Sequence, residues 1–284
     1  MGEKMLPNFI IAGAAKSGSS TLYFYLGRHP EILMSKEKEP AYFTKYWGKK
    51  DLKWYESQFD HWNGEKAIGE ATVEYMVDEH ASERIYKVIT NVKLIFIMRN
   101  PVDRAWSHYW HRVKMGEETR SFEDVIRSVK DGNLNEYIVR YGMYATHIRR
   151  FLKFFPKTQM KFIILEEFSK EPSKFFGEIF RFLGVDDSFN IEYVEKKNAA
   201  KIYKFKWLNL LWAKIRTMDR LKENLPKVIY RPLRKGFRFI DNLNKKPFIL
   251  PKMSVKDRYF LKNVFQEEIN SLEIIIGKSL ELWK

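Results

Sequence analysis

The chain has no cysteine. Disulfides, thiolate metal sites, iron–sulfur clusters and cysteine nucleophiles are therefore excluded. Histidine is scarce, with six in 284 residues, and only His108 and His111 lie close together. At i, i+3 they share a helix face, but no carboxylate partner stands nearby, so no metal is expected. Long apolar runs are also missing. The longest, at 9–15 and 94–98, fall far short of the roughly 20 residues that span a bilayer. The opening residues lack a signal-peptide core, and Leu6 stands where a myristoylation motif wants Ser or Thr. The expectation is a soluble, cytoplasmic protein. Acidic residues are in deficit: 36 Asp and Glu face 51 Lys and Arg, a net charge of +15. That excess favours an anionic partner, whether nucleotide, nucleic acid, acidic glycan or anionic lipid surface. With 45% hydrophobic and 31% charged residues, the chain has the composition of a folded globular protein.

Apolar patterning alternates strands and helices. Strands are expected at 8–12, 30–34, 66–72, 92–98 and 160–165. Helices are expected at 21–28, 79–89, 101–114, 121–130, 144–155, 172–183 and 254–277. The stretch 36–54 has no clear period and reads as a loop or lid. The alternation predicts an α/β fold with a central parallel β-sheet flanked by helices, in a single domain spanning 1–284.

Between the first strand and helix lies Gly13-Ala14-Ala15-Lys16-Ser17-Gly18-Ser19-Ser20-Thr21. Small residues let the backbone turn tightly and aim its amides at a phosphate, and the helix N-terminus adds partial positive charge. Lys16 adds a full charge, and Ser19, Ser20 and Thr21 add hydroxyls. Gly13 and Gly18 have the spacing of a nucleoside-triphosphate loop, G-x-x-x-x-G-K-[ST], but Ser19 replaces its lysine. The strand at 92–98 ends in Arg99, where a magnesium-binding carboxylate would be wanted. The loop suits phosphate better than metal–triphosphate chemistry. The plainer alternative is an ordinary strand-to-helix turn.

A second anion site is suggested at Arg99-Asn100-Pro101-Val102-Asp103-Arg104-Ala105-Trp106-Ser107. Arg99 ends a buried strand, where ligands of parallel sheets bind. Ser107 lies two turns into the next helix and can face back toward it. A guanidinium plus a hydroxyl makes a phosphate clamp. The alternative is that Arg99 pairs with a carboxylate and Ser107 only packs.

Together these motifs resemble the sulfotransferases that use 3′-phosphoadenosine 5′-phosphosulfate (PAPS). Lys16-Ser17-Gly18-Ser19-Ser20-Thr21-Leu22 is similar to their 5′-phosphosulfate loop, K-x-G-T-T-x-L. Arg99 to Ser107 is similar to their 3′-phosphate motif, R-[ND]-P-x-x-R-[AL]-x-S. The segments Gly27-Arg28-His29-Pro30, Lys38-Glu39-Pro40-Ala41-Tyr42-Phe43, Gly69-Glu70-Ala71-Thr72 and Leu280-Glu281-Leu282-Trp283 resemble the heparan-sulfate-type branch and its bacterial relatives. The resemblance implies a P-loop-type three-layer fold. It also implies in-line transfer of a sulfuryl group to a hydroxyl, or as second choice an amine, of a carbohydrate, lipid-linked or other small acceptor. Adenosine 3′,5′-bisphosphate (PAP) would leave, and no metal would be needed.

By the same resemblance Glu39 is the general base, with aromatic neighbours to desolvate it, and Glu37 is its rival. Lys16 neutralises the leaving oxygen, and the backbone from Gly18 to Ser20 holds the 5′-phosphate. Ser17 and Thr21 complete that loop, and Arg99 with Ser107 takes the 3′-phosphate. Glu70 is a second catalytic candidate that alternatively binds acceptor, holds a loop or pairs with a Lys or Arg. In that branch a lysine often follows it, and here Ala71 stands instead. Lys245 and Lys246 match a late basic loop that covers the nucleotide.

Between 196 and 246, sixteen Lys or Arg face three acidic residues, so this stretch carries +13 of the +15. Within it, 201–238 interleaves charge with Trp207 and Trp212. An amphipathic helix on the protein body, an acceptor wall and a helix on an anionic membrane remain open readings. Two other functions compete with sulfotransfer: a P-loop small-molecule kinase, and a basic nucleic-acid-binding protein. The two phosphate loops disfavour the last, so no nucleic-acid partner is expected.

Overall fold

Five apolar runs pair as one parallel sheet. They are β1 (Phe9–Gly13), β2 (Ile32–Met34), β3 (Ala67–Ala71), β4 (Lys93–Met98) and β5 (Met160–Ile164), ordered β2-β3-β1-β4-β5. The computed structural model describes residues 5–192, 200–203, 245–248 and 250–284. Every residue of β1 is buried, as a central strand covered on both faces requires.

Helices cover both faces of the sheet. They are α1 (Ser19–Leu26), α2 (Leu52–Glu56), α3 (Ala81–Val88), α4 (Pro101–Met115), α5 (Phe122–Lys130), α6 (Tyr137–Arg140), α7 (Tyr144–Leu152), α8 (Leu165–Phe168), α9 (Pro172–Leu183) and α10 (Val255–Ile276). Strand alternation splits the core in two. Phe9 and Ile11 of β1, with Ile95 and Ile97 of β4, pack with Leu22 and Leu26 of α1 and Phe176 and Phe180 of α9. Ile10 and Ala12, with Leu94, Phe96 and Met98, pack with Val102 and Ala105 of α4, Ile148 and Phe151 of α7 and Leu261 of α10. The result is the expected three-layer arrangement. Since α1 follows β1 onto one face and α4 follows β4 onto the other, a crevice opens at the carboxyl ends of these adjacent strands.

Local chemistry sets the ends of the helices. The Asn100 side chain accepts the Val102 amide at 3.0 Å, Pro101 fills the first position of α4, and Gly116 closes it. Ser254 caps α10 by accepting the Asp257 amide at 3.1 Å. Arg258 of α10 pairs with Asp103 of α4 at 2.6 Å, and Trp106 Nε1 donates to the Pro251 carbonyl at 2.8 Å.

Some boundaries differ from expectation. The first helix begins at Ser19, because the phosphate loop runs directly into it. The helix expected at 144–155 stops at Leu152, four residues before Pro156. The stretch 36–54 consists mostly of turns but is anchored rather than lid-like: Tyr42 and Phe43 are core residues, and Tyr42 stacks on Tyr55 at 4.7 Å. β6 (Ala200–Tyr203) and β7 (Lys245–Phe248) form an antiparallel ribbon, and β6 runs close to α4. The rest of the basic stretch, including Trp207 and Trp212, lies outside the described residues. Among the described residues no helix is long and apolar enough to cross a membrane.

Gly69 lets β3 and β1 approach, since a Cβ there would sit 2.1 Å from the Phe9 ring. Gly69→Ala should therefore cost about 2–3 kcal/mol of stability by overpacking. A lowered urea midpoint at unchanged slope would report the loss, and adding Phe9→Leu should recover part of it.

Candidate nucleotide and transfer site at the ends of β1 and β4

The β1–α1 loop cannot carry a side chain at its sharpest point. Gly18 has φ +96°, and a Cβ there would meet Leu165 Cδ1 at 3.0 Å. No side chain caps α1, so its first amides and partial positive charge face the crevice. Ser19 is buried at the start of α1, Ser20 is exposed and Thr21 is half-buried. Ser17 is fully enclosed beside the Tyr144 hydroxyl, which donates to the Arg99 carbonyl at 3.0 Å. Tyr144 is thus hydrogen-bonded to the second phosphate-type loop and lies beside the first.

Lys16 sits half-buried in this loop. Burial lowers its pKa first; the charges of Lys114, Arg99 and Lys38 lower it further, and Glu39 opposes them. Four cations and one carboxylate therefore share a single field. Among the described residues neither Lys16 nor Arg99 forms an ion pair. Two cations held close together and each without an ion-pair partner favour a bound anion. Uncapped amides, unpaired Lys16 and Arg99, and the loop hydroxyls form a donor set that fits a nucleotide with phosphate at two positions.

The C-terminus holds the second loop. Glu166 accepts the Asn100 amide at 2.8 Å and the Trp283 indole N–H at 3.2 Å, while Asn100 Nδ2 donates to the Trp283 carbonyl at 3.4 Å. Trp283 is 1% exposed and packs against Tyr144 with ring centres 6.0 Å apart.

With this geometry in view, the profile of the sulfotransferase domain matches residues 6–230. The chain belongs to the sulfotransferase family. Similar curated relatives include the membrane-associated sulfotransferase kil1 of Dictyostelium discoideum, 34% identical over 44% of this chain and 28% of that protein. Human heparan sulfate glucosamine 3-O-sulfotransferase 3B1 is 30% identical over 65% of this chain and 47% of that protein. The chain thus spans less than half the length of these curated relatives. Among solved structures, a sulfotransferase from Alicyclobacillus acidocaldarius superposes with a TM-score of 0.71, at 26% identity over 98% of both chains. A mouse sulfotransferase, SULT7A1, complexed with PAP shares the fold at a TM-score of 0.50 and 17% identity, over 93% of this chain and 84% of that one.

The residues this sulfotransferase sequence marked fall into three groups. Lys16, Arg99 and Glu39 meet in one field, with Lys38 beside them. Ser107 lies on the α4 face that also carries His111 and Lys114, at i+4 and i+7. Lys245 and Lys246 fall on β7, opposite Tyr203 and Ile202, and their side chains lie outside the described residues.

Two expectations need correction. Glu39 is not shrouded by aromatics: its side chain is 42% exposed and pairs with Lys38, because Tyr42 and Phe43 turn into the core. Glu70 pairs with no Lys or Arg. It is 0% exposed and bound by the hydroxyls of Tyr55, Thr72 and Tyr75, so it reaches no acceptor. Glu37, the rival base, is exposed.

Lys114, Lys38 and the separate fates of the two histidines escaped sequence reasoning. His108 turns inward, where Nδ1 meets Arg104 Nη1 at 3.1 Å; burial, then Arg104, pushes its pKa down to about 2. His111 turns to the crevice. Desolvation, then Lys16 and Lys114, lowers its pKa. The i, i+4, i+7 spacing from Ser107 was the available signal.

Burial pushes the Glu70 carboxyl up to about 7, against the pull of its three hydroxyl partners. A carboxyl whose folded pKa is raised contributes stability below its unfolded pKa and loses it as pH rises through the folded value. Relative to Glu70→Gln, the native chain should lose on the order of 3 kcal/mol between pH 4.5 and pH 7. Chemical denaturation of both proteins across that window measures the difference, and parallel pH curves would refute it.

Proposed function

We propose that this chain transfers the sulfuryl group of PAPS to an acceptor hydroxyl. The observation that carries the reading is the field around Lys16: four cations, the uncapped start of α1 and one exposed carboxylate at the ends of β1 and β4. The amides of Ser19 and Ser20 and the Lys16 ammonium take the 5′-phosphate end. Arg99 and Ser107 take the 3′-phosphate, and Lys245 and Lys246 cover the nucleotide. The bound donor supplies a sulfuryl group activated by its anhydride link to phosphate, and the product side is PAP.

Glu39 accepts the proton of the attacking hydroxyl on a carboxylate oxygen, and the hydroxyl oxygen of the acceptor forms the new bond to sulfur and becomes the sulfate-ester oxygen. Lys16 donates a hydrogen bond to the oxygen that bridges sulfur and phosphorus as the old bond breaks. Its lowered pKa makes the ammonium a stronger donor to that growing charge. The acceptor is a carbohydrate of acidic character. The cationic wall supplied by Lys38 and Lys114 supports this, as does the heparan sulfate glucosamine specificity in the human relative's name.

Metal-free calorimetric titration with PAP should show binding to the native chain, weakened about tenfold or more in Lys16→Ala and Arg99→Ala. Radiolabelled transfer from PAPS to heparan sulfate should then fall by about 10²–10⁴ in Glu39→Gln, with PAP affinity retained. No PAP binding by the native chain would sink the reading.

A further inference from the structure

Glu70 is a buried carboxyl that the transfer step leaves untouched, and its surroundings are unusually ordered. Tyr55 donates to Oε1 at 2.6 Å, Tyr75 donates to the same oxygen at 2.9 Å, and Thr72 donates to Oε2 at 2.6 Å. A hydroxyl has one proton and two lone pairs. Once its O–H is pointed at Glu70, each oxygen can only accept elsewhere. Thr72 Oγ1 accepts the Ala41 amide at 3.2 Å, and the Tyr75 oxygen accepts the Phe43 amide at 3.4 Å. A third tie runs from the Glu39 amide to the Ala71 carbonyl at 3.0 Å.

The segment held by these ties is strained. Glu39 has φ +64° and Ala41 has φ +52°, both in the left-handed region that non-glycine residues avoid. Each costs of order 1 kcal/mol or more and persists only where the surroundings over-determine it. Here the over-determination comes from β3 and the turn after it, and its centre is Glu70.

We propose that Glu70 is a positioning residue: as a carboxylate it accepts hydrogen bonds from Thr72 and Tyr75, which turns their oxygens toward the main chain of 39–43 and so holds Glu39 in the conformation that presents its carboxylate to the acceptor. The inference rests on Glu39 being the base. An apolar residue of the same size would fill the space yet leave three hydroxyl protons without an acceptor. Glutamine would set an N–H against a hydroxyl that already donates, so one of the hydroxyls has to turn and its proton loses its acceptor.

The test compares Glu70→Gln, Thr72→Val and Thr72→Ser with the native chain. Amide exchange is read at Ala41 and Phe43, PAP affinity by calorimetry, and kcat and KM for transfer to heparan sulfate. Glu70→Gln and Thr72→Val should speed exchange at those amides and lower kcat by on the order of ten- to a hundredfold. PAP affinity and KM should stay within about twofold, since neither residue touches the nucleotide loops. Thr72→Ser, which keeps the hydroxyl, should restore both exchange and kcat. The double variant Glu70→Gln/Thr72→Val should lose less than the product of the two single losses, because both break one chain of bonds.

Native exchange and native kcat in Glu70→Gln would overturn the proposal. So would losses spread evenly over β1 and α4 that Thr72→Ser fails to rescue, which would mark a general packing role. Absence of PAP binding by the native chain overturns instead the sulfotransferase reading, and the assignment of Glu39 with it.

Discussion

The site depends on the pairing of β1 with β4. Ile10 lies opposite Leu94 and Ile11 opposite Ile95, so the two strands reach their carboxyl ends together. Each then turns into a helix on a different face of the sheet. A loop of small residues with Lys16 and a loop led by Arg99 thereby open on the same crevice from opposite sides. Neither loop alone has the charge or the donors to hold a nucleotide phosphorylated at two places. The apolar alternation along β1 and β4 brings them together, so the hydrophobic pattern of two strands sets the distance between two anion sites.

Holding Lys16 and Arg99 close together without ion-pair partners is unfavourable, and the surrounding framework has to resist it. Tyr144 holds the Arg99 carbonyl beside the first loop, and Glu166, Asn100 and Trp283 lock the second loop to the C-terminus. Arg104, fully buried, gives Nη2 to the Ile138 carbonyl and Nη1 to His108, and so braces α4 against α6 without a carboxylate. The absence of acids from this brace has an electrostatic consequence. A carboxylate paired with Arg99 or Lys16 would compete with phosphate; the Arg104 brace uses a carbonyl and a neutral imidazole instead, and the two oxygens of Glu166 are taken by the Asn100 amide and the Trp283 indole. The carboxylate that does share the field, Glu39, stands at the exposed rim, where an acceptor can reach it.

Much of this was legible in the sequence. The strands at 92–98 and 160–165, the Asn100-Pro101 helix start and the two phosphate-type loops are local patterns, and local rules read them. Family resemblance added the likeness of 280–283 to that branch, but only the fold explains it, through the bonds of Trp283 to Glu166 and Asn100. What sequence could not convey was orientation across the chain. Tyr42 and Phe43 follow Glu39 closely, yet the strained turn at 39–41 sends them into the core and leaves the carboxylate outside. Glu70 sits at a strand end near the crevice, yet strand alternation turns it inward to the hydroxyls of Thr72 and Tyr75 in the turn that follows and of Tyr55 from α2. His108 and His111 are three apart on one helix, yet one contacts buried Arg104 and the other faces Lys16. In each case the orientation is set by how the segment packs in three dimensions, which residue spacing alone does not give.

The same logic accounts for Ala71, where the resembling branch often has lysine. Ala71 is fully buried in the layer shared with α1 and α9, and its carbonyl receives the Glu39 amide. A lysine with this backbone would have to bury its stem among apolar neighbours and lose hydration of its ammonium. The positive charge that position lacks stands instead on Lys38, next to the base, and on Lys114, three turns into α4, and both charges reach Lys16. The crevice keeps its cationic character while β3 keeps an apolar face. The cations are carried by a turn and a helix whose side chains can stay hydrated, and the strand is left to do the packing that holds Glu70 in place.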